Sequence, residues 1–546
     1  MSTPQADPNR HTTLGISKPS QSPSTETRAP APQEHIDKRG WLALICIALG
    51  VSIVIMDATI VNVALPVVIE DLGLSAADAQ WTNAAYSLVF AALLLTLGRL
   101  GDVRGRRRLF ICGMILFMAA SAVAGASTTA PMLIGSRLAQ GVGAAMIVPS
   151  TLSTLNAMFS GRARTIAFAV WGSAIGGMAA IGPFVGGWLA TDTSWRWAFW
   201  LNIPIGLLVL TGIIRAVPET RDTTTTPGSD PVGVVLSALG MGAIVFALIE
   251  GQWFGWWRQE NGSTSPVPLA LTAGIVLIVA FIAYERRRAA SGRPALIDLR
   301  LFTLPSFRSG VIAAMIVALG EFGLLFTLPL LLQGSLGYTA LGTGTVIVAL
   351  ALGTFLISGM LPQLSKRMSR RAIVQAGLAL EALAVAALAL TVSTTISSWL
   401  ICVLLFVYGL GVGMATAQLT ALLLSDVPSQ QSGQASGVQS AIRQLGSALG
   451  VAALGGLLIN QLTNATRHNL AALHLPADTT NAITTAVSQS AGTAIAGLQA
   501  APHGHDIAQA ATNAMITASQ TTLWIAAATL SAGLLLTLTL PKTPTP

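Results

Sequence analysis

Five charged side chains lie in stretches of this chain that are otherwise apolar: Asp57, Glu321, Glu381, Arg137 and Arg443. A charge deep in an apolar environment costs roughly 2.5–3.5 kcal/mol on insertion scales, so such residues face a cavity or a partner. A carboxyl held there can take up and release a proton, whereas an arginine keeps its charge and needs a carboxylate or backbone carbonyls. Proton binding and charge pairing are therefore the chemistry on offer. Asp57 has no adjacent base, and Asn62 either satisfies it or ties its own segment to a neighbour. Glu321, between Gly320 and Gly323, reads as a site for a proton or a cationic substrate. Glu381 reads first as a structural acid. Arg443 lies nearer one end of its run and can snorkel to the interface. Glu250, beside the aromatic run at 253–257, reads as an interfacial anchor and only weakly as a substrate-entry acid. Arg137 needs a carboxylate, and Asp57 is a candidate.

Other chemistries find no footing. None of the six histidines lies in an apolar run, so proton exchange falls to carboxylates. His503, His505 and Asp506 share a solvated segment without a second cluster, and no metal site is expected from them. There is no G-x-x-x-x-G-K-[ST] phosphate loop and no Ser–His–Asp constellation, so neither ATP-driven work nor enzymatic catalysis is expected. The three cysteines sit in separate apolar runs, which excludes a disulfide framework.

The elements that position these residues are membrane spans. Hydrophobic residues make up 53% and charged residues 10% of 546. With a mean hydropathy of +0.67, the chain cannot clothe a soluble domain, which carries about 25% charge. Read at the length of a bilayer crossing, roughly 20 residues, the apolar runs fall at 41–64, 80–97, 109–128, 131–155, 165–190, 198–217, 232–250, 267–284, 309–332, 340–364, 372–393, 397–424, 435–459 and 520–540. The fold class is an all-α polytopic membrane protein with fourteen spans. The turn GRLGDVRGRRRLF (98–110) sets its orientation, because short basic connectors stay cytoplasmic. On that basis 25 of the 30 Lys and Arg residues are cytoplasmic, only Arg196, Arg258 and Arg467 lie outside, and both termini are inside. The net charge of +8 is thus mostly topology and does not point to nucleic acid.

The organisation expected is a disordered cytoplasmic tail (1–40), a six-helix bundle (41–218), two inserted helices with a connector (219–308), and a second six-helix bundle (309–541). The first run is full length and lacks a cleavage site, so no signal peptide is expected. The connector ends in LIDLRLF (296–302), which suits a short amphipathic segment on the membrane face. Residues 460–519 are expected to form a long extracellular loop. GMLPQLSKRMSRR (359–371) echoes the basic turn without an acid matching Asp102, so the two bundles read as a repeat.

Four motifs then resemble one family, the major facilitator superfamily, in its fourteen-span drug:proton antiporter branch. They are MDATIVNVALP (56–66), GRLGDVRGRRR (98–108), RLAQGVGAAMIVPS (137–150) and GSAIGGMAAIGPFVGG (172–187), with WRWAFWLNIPIG (195–206) beside them. The second half matches by hydropathy and by fragments such as IRQLGSALG (442–450). The resemblance implies a major facilitator fold of two bundles plus two inserted helices. It implies that Arg137 couples protonation to conformation, and that Gly98, Asp102, Gly105 and Arg106 form an inner-face gate that breaks as the bundles rock. It further implies that Gly182, Pro183, Gly186 and Gly187 form the hinge or seal associated with antiport.

The function implied is proton-coupled export of lipophilic, often cationic drugs across the inner cell membrane by alternating access. A monomer, in contact with membrane lipids and driven by the proton gradient without a cofactor, would do this. Asp57, Glu321, Arg137 and Asn62 are the candidate proton-coupling or substrate-binding residues. Export of an endogenous lipid or secondary metabolite is the first alternative. A non-transporting scaffold or sensor is another, opposed by the retained buried charges, and an uptake symporter fits the Gly-Pro motif less well.

Overall fold

The computed structural model describes residues 37–221, 230–251, 254–258, 263–293, 295–297, 299–427, 432–500 and 504–539. The expected tail and the C-terminal residues 540–546 therefore lie almost wholly outside the described residues. Helices α1 (Lys38–Leu72), α2 (Ala76–Arg104), α3 (Arg106–Gly125), α4 (Ala130–Met158), α5 (Gly161–Asp192), α6 (Trp197–Trp200) and α7 (Asn202–Ala216) come first. Helices α8 (Pro231–Glu250) and α9 (Pro266–Ala290) follow, then α10 (Pro305–Gly334), α11 (Ala340–Leu364), α12 (Arg370–Thr391) and α13 (Ser398–Leu423). The chain closes with α14 (Ser432–Ala471), α15 (Ala477–Gln489) and α16 (Gly504–Thr537). Thirteen helical segments among the described residues, α6–α7 counting as one, are long and apolar enough to cross a membrane. Helix α5, 32 residues long, runs beside α1 and α11, which have 35 and 25 residues. Each of the fourteen apolar runs coincides with a helix.

The packing repeats. Helix α3 lies on α4, α2 on α4, α1 on α5 and α3 on α7, and the same pattern recurs as α12 on α13, α11 on α13, α10 on α14 and α12 on α16. The crossings are made by glycine. A Cβ on Gly113 would come within 3.0 Å of the Gly143 carbonyl oxygen, and one on Gly377 within 2.8 Å of the Gly411 carbonyl. Gly182 and Gly186 of α5 lie on the Met56 and Ile60 carbonyls of α1, while Gly446 and Gly450 of α14 lie on Met315 and Leu319 of α10. Four-residue spacing presents both glycines on one helix face, so two backbones approach where side chains would hold them apart.

Two seams join the halves: α5 against α11, and α2 against α14. The face bearing the 98–110 turn is called the basic face below, and its opposite the far face. On the far face one apolar core spans both halves, joining Val61, Leu65 and Val68 to Phe326, Leu330 and Leu458. Toward the basic face one core is built on α1–α5 and α7, with Ala441 of α14 packed on it, and others on α10, α12 and α13 and on α11–α13. At the far face the halves share one core, and the α2–α14 seam continues toward the basic face, where Leu95 packs with Ala435 and Val438. Helix α8 leans on that seam, where Val245 and Ile249 meet Ala84 and Leu88 of α2 and Ala448 and Ala452 of α14.

Two local expectations change. Residues 460–519 are not a loop over most of their length, because α14 runs on to Ala471, α15 follows, and α16 begins at Gly504. Between Gly456 and Pro476 no proline or glycine breaks the helix, and Leu462, Thr466 and Leu470 recur at helical spacing and are buried. Span-length hydropathy does not register such a polar helix. The connector's Leu299–Thr303 forms a 3-10 turn whose buried Leu301 packs with Phe307 and Leu423, so it docks on the protein rather than lying free on a membrane.

Candidate transport site

In the first half, Asp57 of α1 is wholly enclosed. Its Oδ2 accepts from Arg137 Nη1 at 2.5 Å, and its Oδ1 accepts from Gln140 Nε2 at 2.9 Å and Asn202 Nδ2 at 2.8 Å. Arg137 also donates through Nε to the Thr82 carbonyl at 3.1 Å and lies 4.4 Å over the Tyr86 ring. Side-chain exposures are 0% for Asp57 and 1% for Arg137. Residues from α1, α2, α3, α4 and α7 thus converge on one carboxylate, with Ser121 Oγ accepting from both amides. Three donors, one of them cationic, hold an anion firmly. This cluster is built as a lock between helices, and no substrate reaches it in this state.

The second half carries a looser counterpart. Arg443 Nη2 of α14 lies 3.2 Å from Glu321 Oε2 and 3.5 Å from Oε1. Arg443 therefore does not snorkel. Helix α14 starts at Ser432, so Arg443 lies three turns inside it and meets a carboxylate instead. The side chains are 30% and 12% exposed, on helices packed from several sides. The pair joins α10 to α14 inside the second half and keeps partial exposure. Glu381 is fully buried, both of its oxygens lack a hydrogen-bond partner, and so does the hydroxyl of buried Tyr408.

Helix α5, which carries Pro183 inside it, is wedged between α1 and α11 at the far face. Gly187 lies against the Ala340 carbonyl, Gly344 against the Pro183 carbonyl, and Leu341 N donates to Thr191 Oγ1 at 2.9 Å. A proline removes one helical hydrogen bond, and flanking glycines let the backbone sit flush. The four expected residues are brought together as a close-packed seam.

Comparison with known proteins accounts for this architecture. The family model described as Major Facilitator Superfamily matches residues 47–451. The chain belongs to the Major Facilitator Superfamily. It is 32% identical over 462 residues to a probable actinorhodin transporter of Streptomyces coelicolor, covering 82% of this chain and 77% of that one. It is 36% identical to a multidrug efflux pump of Mycolicibacterium smegmatis, covering 65% and 67% of the two chains. It is 30% identical to a methylenomycin A resistance protein of Bacillus subtilis, covering 78% and 89%. Among solved structures, an inward-facing bacterial homologue of the human lysosomal transporter Spinster overlays with a TM-score of 0.63 at 17% identity, covering 92% and 97%. The chain is a transporter of this superfamily, not an enzyme.

In this facilitator the basic turn bonds within itself and to the segments on either side of the inserted helices. Asp102 Oδ1 accepts from Arg106 Nε at 2.8 Å. Gly105 adopts φ +119°, in the region that favours glycine, and a Cβ there would come 2.7 Å from the Glu219 carboxyl. Glu219 accepts from the Arg107 and Arg108 amides at 3.1 and 3.3 Å, capping the start of α3 with a negative charge. Gly98 packs on Pro149 of α4, where a Cβ would sit 3.1 Å from the proline Cβ. Asn62 does not touch Asp57. It accepts from Asn83 at 3.0 Å and donates to the Ala58 carbonyl at 3.2 Å, tying α1 to α2. Glu250 accepts from Trp81 Nε1 at 3.0 Å, joining α8 to α2. No group of three His, Cys, Asp or Glu suited to a metal occurs among the described residues, and His503 lies outside them.

Sequence reasoning missed Gln140, Asn202, Ser121 and Glu219. Gln140 lies one turn past Arg137, on the same helix face, and that spacing was the available signal. Asn202 and Glu219 carry no spacing signal, since their partners lie more than 100 residues away.

Proposed function

We propose that this protein is a proton-coupled exporter of lipophilic, often cationic compounds. It works across the cell membrane by alternating access, with the basic face and both termini cytoplasmic. It belongs to the fourteen-span branch and acts as a monomer, with residues 41–218 and 309–541 as the two rocking halves and the proton gradient as its only drive. The observation that carries this reading is the contrast between the two ion pairs. Glu321 keeps partial exposure and is held by one arginine, so a proton or an organic cation can compete for it. Asp57 is enclosed by three donors and acts as a lock between helices rather than as a first binding site. Export, rather than uptake, is supported by the glycine–proline seam at the far face and by the relatives' printed roles in drug efflux and antibiotic resistance.

In the proposed cycle a compound from the cytoplasm or inner leaflet enters between the halves from the basic face and displaces Arg443 from Glu321. Rocking then opens the α5–α11 seam, and a proton from outside replaces the compound on Glu321. A second reading, export of an endogenous amphiphile, is favoured by Arg443 being the more exposed partner, since an anionic group would meet it first. The test is ethidium efflux from energised vesicles. Glu321→Gln should abolish gradient-driven efflux while leaving the protein folded, and Asp57→Asn should slow it. Efflux unchanged in Glu321→Gln would overturn the assignment, and absence of ethidium transport in the wild type would favour the second reading.

A further inference from the structure

A second buried carboxyl pair lies at the basic face, outside the ion pairs described above. Asp230 caps α8, its Oδ1 accepting from Gly233 N at 2.9 Å. Glu285, near the end of α9, accepts at Oε2 from Ile297 N of the connector at 3.2 Å. The other oxygen of each side chain, Asp230 Oδ2 and Glu285 Oε1, is buried and accepts no hydrogen bond. Both converge on one point: a Cβ placed on Gly233 would sit 2.5 Å from the first and 2.6 Å from the second. Asp230 is 4% exposed and Glu285 0%.

We propose that Asp230 and Glu285 share one proton and form a cytoplasm-facing proton site, distinct from Glu321, that fixes the base of the inserted helix pair. Two carboxylates whose free oxygens meet in a buried space repel each other, and one proton between them converts that repulsion into a charge-assisted hydrogen bond. The surrounding charges are few. Arg288 Nε of α9 lies 3.6 Å from Asp230 Oδ2, and its Nη1 donates to Tyr284 at 3.0 Å. Arg99 of α2 feels Asp230, Glu285, Arg288 and Asp102, and its Nη1 donates to the Ala295 carbonyl at 3.1 Å. Arg286, Arg287, Arg293 and Arg300 are exposed. On α14, which also packs on α8, Arg443 is engaged with Glu321.

The position gives the proton leverage. Helix α8 touches α2 of one half and α14 of the other, Arg99 belongs to the basic-turn motif, and Ile297 belongs to the connector into the second half. With the proton bound, the helix pair, α2 and the connector are held as one unit. Without it the base of α8 and α9 loosens just where the halves move. Cytoplasmic acidity would thereby tune rocking independently of substrate.

Infrared difference spectroscopy of the purified full-length protein, titrated between acid and alkaline pH, reads the carbonyl stretch of a protonated carboxylic acid directly. A titrating band is expected in the wild type and in Glu321→Gln, and its loss in both Asp230→Asn and Glu285→Gln. Gly233→Ala, which places a methyl between the two oxygens, should remove it as well. A band that survives Asp230→Asn and Glu285→Gln would overturn the proposal. Displacement of the wild-type band by sodium at fixed pH would also overturn it in favour of a metal-cation site. The readout needs no transport, so it stands or falls apart from the exporter reading.

Discussion

Removing Arg137 should expose how much of the first half rests on one ion pair. Arg137→Gln leaves Asp57 buried, with only Gln140 and Asn202 still donating to it. Breaking a buried pair by deleting one partner costs roughly 3–5 kcal/mol, because the other charge stays behind uncompensated. Exposed pairs contribute about 0–1 kcal/mol, but at 0% and 1% exposure no solvent screening softens this one. Asp57→Asn should cost less, since Arg137 keeps the Thr82 carbonyl, the Gln140 oxygen and the Tyr86 ring face. The double variant removes both charges, so its cost should fall short of the sum by about 2–3 kcal/mol, the upper range for directly coupled residues. The assay is unfolding of the four proteins in mixed micelles, followed by loss of helical circular dichroism as the denaturing detergent is raised. Stability recovered in the double variant should not restore efflux, because the lock is gone. Costs that simply add within about 0.5 kcal/mol would refute the reasoning and show that the two charges do not face each other.

Substituting Gly187 or Gly344 by alanine sets a methyl against the Ala340 or Pro183 carbonyl, so the α5–α11 seam must part at the far face. A cysteine pair at Thr191 and Leu341, joined by a hydrogen bond in the native seam, should then cross-link several-fold less. Unchanged cross-linking would mean that the seam tolerates the bulk. Gly105→Ala should destabilise by about 1–3 kcal/mol, the usual range for a strained backbone, and Glu219→Ala by about 0.5–2 kcal/mol as the loss of a helix cap. The two combined should cost less than their sum, since the new methyl collides with Glu219 itself; strict additivity in the same unfolding assay would count against the contact. Glu381→Met should raise stability by about 1–3 kcal/mol, the desolvation cost of a buried polar group left unsatisfied. A fall in stability would reveal a partner for Glu381 that the structure does not contain.

Most of the architecture could be read before any coordinates, because a bilayer imposes one length on every span and one charge rule on every short connector. The motif residues Asp57 and Arg137 were visible for the same reason: charges in apolar runs announce themselves. Their pairing could be put forward as a candidate, and the contact across 80 residues of sequence is what the structure adds. For Arg443 the sequence left snorkelling open, and the structure instead pairs it with Glu321 from within α14. Residues 460–519 were misread because a helix with a polar outer face gives no span-length signal. The repeat was legible in only one of its marks. The basic-turn echo at 359–371 showed it, while the pairing of Gly182 and Gly186 with Gly446 and Gly450 emerged only once the carbonyls they rest on were seen.

That repeat makes the difference between the halves informative. The glycine crossings of α3 on α4 and α12 on α13 set the same backbone frame twice, so the frame itself does not decide which carboxylate is reachable. The polar side chains placed on it do. The first half supplies Arg137, Gln140, Asn202 and Ser121 around Asp57 and closes over them, whereas the second supplies Arg443 alone to Glu321 and leaves Glu381 and Tyr408 without partners. An acid held by three donors stays put until the whole bundle moves, because every donor must be broken together. A pair held by one contact exchanges its partner at little cost. The exporter reading proposed above needs both properties in one molecule, an acid that trades ligands and another that holds until the halves rock, and the contrast between these two copies of one scaffold supports it.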